Sequence, residues 1–232
     1  LATASTSMPA VTSTAPKTSH RQNNASPVLV ERNVSSQRSR VSSHRFRIAF
    51  YNVENLFDCR HDTLKEDQEF LPEGSYHWTK TRYWKKLDNL SRTIAAIAGE
   101  EGWPMVVGMC EVENDTVLHD LTHRSTLRRA RYAYVHEEGP DRRGVDVAML
   151  YDSVQFHLLG HDAVRIPSAE HGYRPTRDIL HVWGLCPTLP DTLHIIIVHL
   201  PSRAGSGRKG ELHRRLAVDT LCGLLDELAG RN

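Results

Sequence analysis

The sequence predicts an α/β layered fold, and three observations predict it. Four short apolar runs each stop beside a polar residue able to bind a metal ion or a phosphate: Phe46–Asn52, Met105–Glu111, the Thr176-Arg177-Asp178 entry to Ile179–Trp183, and His194–His199. Short apolar runs of this kind read as buried strands. Segments with helical periodicity separate the first strands, and the order β-α-β-α followed by further strands suits a sheet layered against helices. In open α/β sheets, ligands sit in the crevice beyond the strand ends. Asn52, Glu111, Arg177 and His199 gathered at one sheet edge would therefore make a metal-assisted phosphoester site.

The elements follow in order. Residues 1–45 are rich in Ser, Thr, Pro, Asn and Arg without a hydrophobic period, so disorder is expected there, and a folded domain over residues 46–232. The first strand ends at Asn52, and a polar loop punctuated by Pro72 and Gly74 runs from Arg60 to Trp78. Tyr83, Leu87, Leu90, Ile94 and Ile97 then recur at helical spacing, with Thr79 or Thr81 as N-cap and Gly99 at the end. The strand to Glu111 follows, then a helix carrying Val117, Leu118, Leu121 and Leu127. Strands are expected around Tyr132–His136, Val145–Tyr151, Val154–Leu159, Asp178–Cys186 and Leu193–His199. A Gly-rich loop and a helix from about Glu211 to Leu228 finish the chain.

Composition narrows the class. With 39% hydrophobic and 25% charged residues the chain reads as an ordinary globular domain with a tail. No apolar stretch is long enough to span a bilayer, and no signal peptide is visible. The tail carries six cations against Glu31, a net of +5, which leaves −4 on the rest of a chain whose total is +1. That balance removes the argument for a strongly basic nucleic-acid domain, although acid gathered at a metal site is compatible with such a substrate. Cys59, Cys110, Cys186 and Cys222 show no Cys-x-x-Cys spacing and read as buried free thiols.

Each candidate residue has a plain alternative. A carboxylate closing a run as apolar as Met105–Cys110 is costly unless paired or coordinated, and Mg²⁺ takes one or two carboxylates with waters and substrate phosphate. Glu111 fits that role; a favourable charge at the next helix N-terminus is the alternative. Asn52 offers a donor and an acceptor without charge, or simply forms a turn. His199 can donate to a phosphate oxygen or shuttle a proton. Arg177 can grip phosphate in bidentate fashion, or pair with Asp178 or Asp146. Asp146 interrupts the Val145–Tyr151 run and needs a partner on its own face. Arg203 and Arg208, in the loop containing Gly205-Ser-Gly-Arg-Lys-Gly210, can touch substrate phosphate, but the loop lacks the phosphate-loop spacing. His119 and His123 share a helix face without the metalloprotease Glu, so a solvated face outweighs zinc. Arg82, Lys85 and Lys86 around Tyr83 and Trp84 read as an amphipathic helix before they read as a nucleic-acid patch.

Taken together, Tyr-Asn52-Val-Glu-Asn-Leu-Phe-Asp58, Cys-Glu111-Val-Glu-Asn114, Arg143-Gly-Val-Asp-Val-Ala-Met-Leu-Tyr151, Thr-Arg177-Asp-Ile-Leu180 and His199-Leu-Pro-Ser-Arg203 resemble the endonuclease/exonuclease/phosphatase superfamily. The stretch Asp67–Pro72 through Trp78-Thr79 and Tyr83 resembles a bacterial branch of it. The resemblance implies a deoxyribonuclease I-like two-sheet sandwich flanked by helices. It implies an Mg²⁺- or Mn²⁺-dependent phosphoester hydrolase, monomeric when full length, with nucleic acid as leading substrate and lipid or inositol phosphoesters behind it. Glu111 would be the main metal ligand, with Asn52 at the metal or phosphate. Arg177 would hold substrate phosphate, assisted by Asp146 and Arg203, and His199 would stabilise the transition state or move a proton. The family's Asp-x-Asn and Ser-Asp-His motifs do not follow Leu228. The expectation is therefore a domain whose second half is incomplete, with an exposed sheet face and little or no activity as given. A non-catalytic remnant that binds a partner or nucleic acid through the tail is the alternative.

Overall fold

In the computed structural model, residues 28–31, 46–99, 102–202 and 207–230 are described. The first sheet has the order β1 (Val28–Glu31), β2 (Arg47–Leu56), β3 (Val106–Val112), β5 and β4. Here β4 is Ala133–His136 and β5 is Asp146–Tyr151. Among the described strands of this sheet, β2 and β3 run parallel, joined by the crossover helix α1 (Lys80–Ala98), and the other neighbours are antiparallel. The second sheet is antiparallel, β6 (His157–Val164), β7 (Ile179–Leu185) and β8 (Thr192–Ile197). Within the segment expected to be disordered, β1 pairs with β2; its Val-Leu-Val run favours extended backbone. The rest of residues 1–45 lies outside the described residues.

Two cores explain the layering. One apolar cluster sits between the first sheet and the helical side: Val107, Met109 and Leu150 from the strands meet Tyr83, Leu87, Leu90 and Ile94 of α1. The other lies between the sheets: Val106, Cys110, Val147 and Met149 meet Leu180, Val182 and Ile197. Central strand β3 thus buries both faces, which is why it reads as a continuous apolar run. Gly108 is required where the sheets approach, because a Cβ there would stand 3.1 Å from Phe50 and 3.3 Å from Ile197.

Thr79 is the N-cap of α1, its hydroxyl accepting from the Arg82 amide at 3.4 Å, and Gly99 closes the helix at φ 54°. Tyr83 is buried, so the basic residues around it belong to an amphipathic helix. The single helix expected after Glu111 is instead three short pieces: α2 (Asp115–His119), a π turn (Asp120–Arg124) and a 3₁₀ turn (Thr126–Ala130). The Ser125 hydroxyl donates to the Leu121 carbonyl at 2.5 Å and accepts from the Leu127 amide at 3.0 Å, competing with helix continuation. The rings of His119 and His123 stack 4.5 Å apart on that surface.

Other boundaries shift. Asp152–Gln155 forms a turn in which the Phe156 amide reaches the Asp152 carbonyl at 2.8 Å, so β6 begins at His157 and not at Val154. Strand β8 ends at Ile197, leaving His199 in the loop beyond it. Gly207–Gly210, expected in a loop, forms the first turn of α3 (Gly207–Ala229). Of this helix only Gly210 and Ala217 are buried, while Leu212, Val218 and Leu225 are exposed. Cys222, expected to be buried, is exposed on the same helix, and Cys59 is half-buried.

Candidate active site

The segments that meet across the two sheets place Glu111, Arg177 and His199 around one crevice, with Asn52 hydrogen-bonded to Glu111. Glu111 comes from the end of β3, where the ladder to both neighbours slips between Cys110 and Val112. Its φ is 68°, a left-handed conformation unusual for any residue with a Cβ. The bulge withdraws Glu111 from the β-ladder and turns its carboxylate toward the site, where the side chain is 16% exposed. Asn52 lies beside Cys110 on the parallel neighbour β2 and its amide donates to Glu111 Oε1 at 3.1 Å. The Asn52 carbonyl accepts from the Glu54 amide at 2.8 Å. Asn52 therefore orients the carboxylate, with its own oxygen engaged by the backbone.

His199 approaches the same carboxylate oxygen, Nε2 to Oε1, at 3.5 Å. Burial and the neighbouring Arg177 hold its imidazole down to about 4, so the ring is neutral near pH 7. A neutral ring with its proton on Nε2 keeps Nδ1 as an acceptor, and Nδ1 is buried without a hydrogen-bond partner.

Arg177 pairs with neither of the two aspartates expected of it. Its partner is Asp141, Nη1 to Oδ2 at 2.8 Å, while Nε donates to the His199 carbonyl at 2.9 Å and Nη2 to the Leu200 carbonyl at 3.2 Å. Asp178 pairs with Arg165 at 2.8 Å. Arg177 thus fastens the loop bearing His199 to the segment entering β7. Burial alone would raise the Asp141 carboxyl, but Arg143, by charge and through its amide, and Arg177 outweigh it and hold Asp141 below the usual range.

Asp146 belongs to the wall behind the site. Only 2% exposed, it accepts from the Gly139 amide at 3.0 Å and does not line the crevice. A buried amide needed an acceptor, and sequence alternation shows only that Asp146 has some such partner. Arg203 lies outside the described residues. Burial pushes Asp146 up to about 6, so the folded chain holds a proton there that the unfolded chain releases near 3.8. Stability from this group accordingly falls as pH rises from 3.8 to 6, and the loss is complete above 6. Asp146→Asn is expected to stabilise the chain by on the order of 2–3 kcal/mol at about pH 7.5, shrinking below 1 kcal/mol by about pH 4. Urea unfolding at the two pH values measures it; destabilisation at the higher pH would contradict the assignment.

The crevice itself, about 410 Å³, is lined by Glu111, Arg177 and His199 together with Asp141, Arg142, Arg143, Arg174, Thr176, Ser202 and His213. Four arginines against two carboxylates give the crevice a positively charged lining. Of the added residues, Arg143 stood in a quoted motif without a role. Asp141, Arg142 and Arg174 carried no periodic or spacing signal, because charged turn residues look alike until the chain is folded. His213 comes from α3, its Nε2 2.8 Å from the Ser168 hydroxyl and its ring stacked on Tyr173.

Among the described residues, no three His, Cys, Asp or Glu side chains stand together as a metal-binding group. Glu111, steadied by Asn52, is the carboxylate at the crevice that could hold a metal ion. Such a set fits hydrated Mg²⁺ or Mn²⁺, hard cations that take few protein ligands and complete their shell with water and phosphate. Glu113, two residues on, is engaged elsewhere: it accepts from the Asp58 amide at 2.6 Å, and burial pushes it up to about 8.

A sequence model of the Endonuclease/Exonuclease/phosphatase family matches residues 47–232. The chain belongs to that family. No curated protein matches it. Among solved structures, the human Nocturnin catalytic domain with bound sulfate anion is similar at 15% identity and a TM-score of 0.50, covering 91% of this chain and 64% of that one. Humanized D. rerio TDP2 is similar at 14% identity and 0.48, covering 74% and 57%. ANGEL2, a 2′,3′-cyclic phosphatase, is similar at 15% identity and 0.45, covering 73% and 44%. The chain thus spans less than two thirds of the length of each. The two-sheet α/β architecture is the endonuclease/exonuclease/phosphatase fold, and no helix among the described residues is long and apolar enough to cross a membrane.

Proposed function

We propose that this member of the endonuclease/exonuclease/phosphatase family is built for divalent-metal-dependent hydrolysis of phosphodiesters, with nucleic acid as leading substrate. The observation that carries the reading is the convergence of Glu111, His199 and Arg177 on one arginine-lined crevice, with Asn52 hydrogen-bonded to Glu111. Bound at Glu111, Mg²⁺ or Mn²⁺ would act as Lewis acid on the phosphoryl group and stabilise the leaving oxygen. Arg177 spends three of its five N–H groups internally and has two left for a phosphate oxygen. Arg143 adds a half-exposed cation at the same crevice. A phosphate anion beside His199 raises its proton affinity, so the neutral ring can take a proton from solvent and pass it to the leaving oxygen.

Among the described residues that line the crevice, Glu111–His199 is the one carboxylate–histidine pair, with no second pair there to activate the attacking water. The 232-residue chain is therefore expected to bind substrate while turning over little. The test measures Mg²⁺-dependent binding of a phosphorothioate oligonucleotide alongside cleavage of its phosphodiester counterpart. Binding that needs added Mg²⁺ and is lost in Glu111→Gln supports the reading. Salt-sensitive binding that ignores both and disappears when residues 1–45 are removed supports instead a non-catalytic binder using its tail.

A further inference from the structure

A second anion position is built into the same crevice. Arg174 donates through a single nitrogen, Nη2, to both carboxylate oxygens of Glu66, at 2.7 and 3.1 Å, and Arg142 Nη1 stands 3.9 Å from the same side chain. Both arginines line the crevice that holds Glu111, Arg177 and His199, whereas Glu66 does not. We propose that Arg142 and Arg174 form a subsite for a second phosphate of the substrate molecule, and that Glu66 is the anion that holds them in the free protein. This rests on the phosphoesterase reading and specifies the substrate class: one phosphate at Arg177 and His199, and another group of like charge beside it.

The chemistry favours exchange. A guanidinium takes phosphate and carboxylate with the same two-pronged geometry, and phosphate brings more acceptor oxygens and charge. The three side chains are 59%, 68% and 52% exposed, so water screens the existing pair and exchanging its anion costs little. The loop need not move when the carboxylate leaves. The Glu66 amide donates to the Arg142 carbonyl at 2.6 Å, and Lys65 Nζ donates to the Gly139 carbonyl at 2.8 Å. Beneath it, the Lys65 stem lies 3.0 Å from where a Cβ of Gly144 would stand, and Gly144 has φ 75°. The backbone around Glu66 is thus pinned, and only its side chain has to swing.

Calorimetric titration of the whole chain, in low salt with Mg²⁺ present, where little turnover is expected, tests the subsite. Thymidine 5′-monophosphate is compared with thymidine 3′,5′-bisphosphate, and inositol 1-phosphate with inositol 1,4-bisphosphate. A bisphosphate is expected to bind about tenfold more tightly than its monophosphate, as expected of one added charge-assisted pair. The pair that shows the preference identifies the source of the second phosphate. The ratio is expected to fall to about one in the Arg142→Ala/Arg174→Ala double variant and to rise about threefold further in Glu66→Gln. Glu73→Gln, an equal charge change on an exposed residue of the same loop, should leave it unaltered. Monophosphate binding that weakens in Arg177→Lys, with no bisphosphate preference in either pair, overturns the subsite and leaves the phosphoesterase reading standing. Absence of monophosphate binding overturns both. An equal gain from Glu73→Gln overturns the role given to Glu66.

Discussion

Arg177→Ala is expected to lower the stability of the chain by about 3 kcal/mol or more, the largest single effect at the site. The reason is what it leaves behind. Asp141 has a side chain only 8% exposed, and its partner Arg177 is 6% exposed. Removing one half of a buried ion pair strands the other, at a cost of about 3–5 kcal/mol. Arg143 stays near Asp141, with Nε 3.4 Å from Oδ1 and its amide donating at 2.9 Å, which places the expectation toward the lower end. The carbonyls of His199 and Leu200 also lose their donor, so the His199 loop should loosen with the core. In a chain of this size the thermal midpoint should fall by roughly 6 °C or more. The Arg177→Met/Asp141→Leu double variant is expected to recover most of the loss, because it buries no uncompensated charge. A single-variant loss under 1 kcal/mol by urea unfolding would show that the pair is not structurally important. The contribution of Asp141 also has a sign in pH: held below the ordinary 3.8, its carboxyl stabilises fully above that value and loses the contribution as pH falls beneath it.

Glu111→Gln is expected to weaken Mn²⁺ binding by about 100-fold or more, read by calorimetry or by the paramagnetic signal of the free ion. Outer partners that orient a ligand are worth about 10–100-fold, and the ligand itself should be worth at least the top of that range. Asn52→Ala, which removes the 3.1 Å bond fixing the carboxylate, belongs inside that range. Glu111→Gly separates binding from folding. It removes the side chain from a residue at φ 68°, so the variant should lose Mn²⁺ binding while gaining about 1 kcal/mol of stability. If Glu111→Gln binds Mn²⁺ as well as the parent chain, the metal is held elsewhere and the proposed chemistry fails.

What the sequence determined by itself is what a local pattern encodes. The periodicity of Tyr83, Leu87, Leu90 and Ile94 specified α1, and the apolar runs at 46–52 and 105–111 specified strands β2 and β3. The family was legible for the same reason: its motifs are short and contiguous, and each closes a strand or opens one. Tertiary structure decided the partners. The sequence left Arg177 between Asp178 and Asp146, and the fold supplied Asp141, 36 positions away, because the turn before β5 packs against the entry to β7. It left Asp146 in need of a partner, and the fold supplied a backbone amide, which has no residue-type signature. Glu66, Arg142 and Arg174 come together only when the loop after β2 lies against the turn at 139–144. Hydrophobic periodicity is written along the chain, whereas charge pairing depends on which loops meet across it. Glu111, Asn52, Arg177 and His199 were therefore readable as candidates in advance, and their pairing was not.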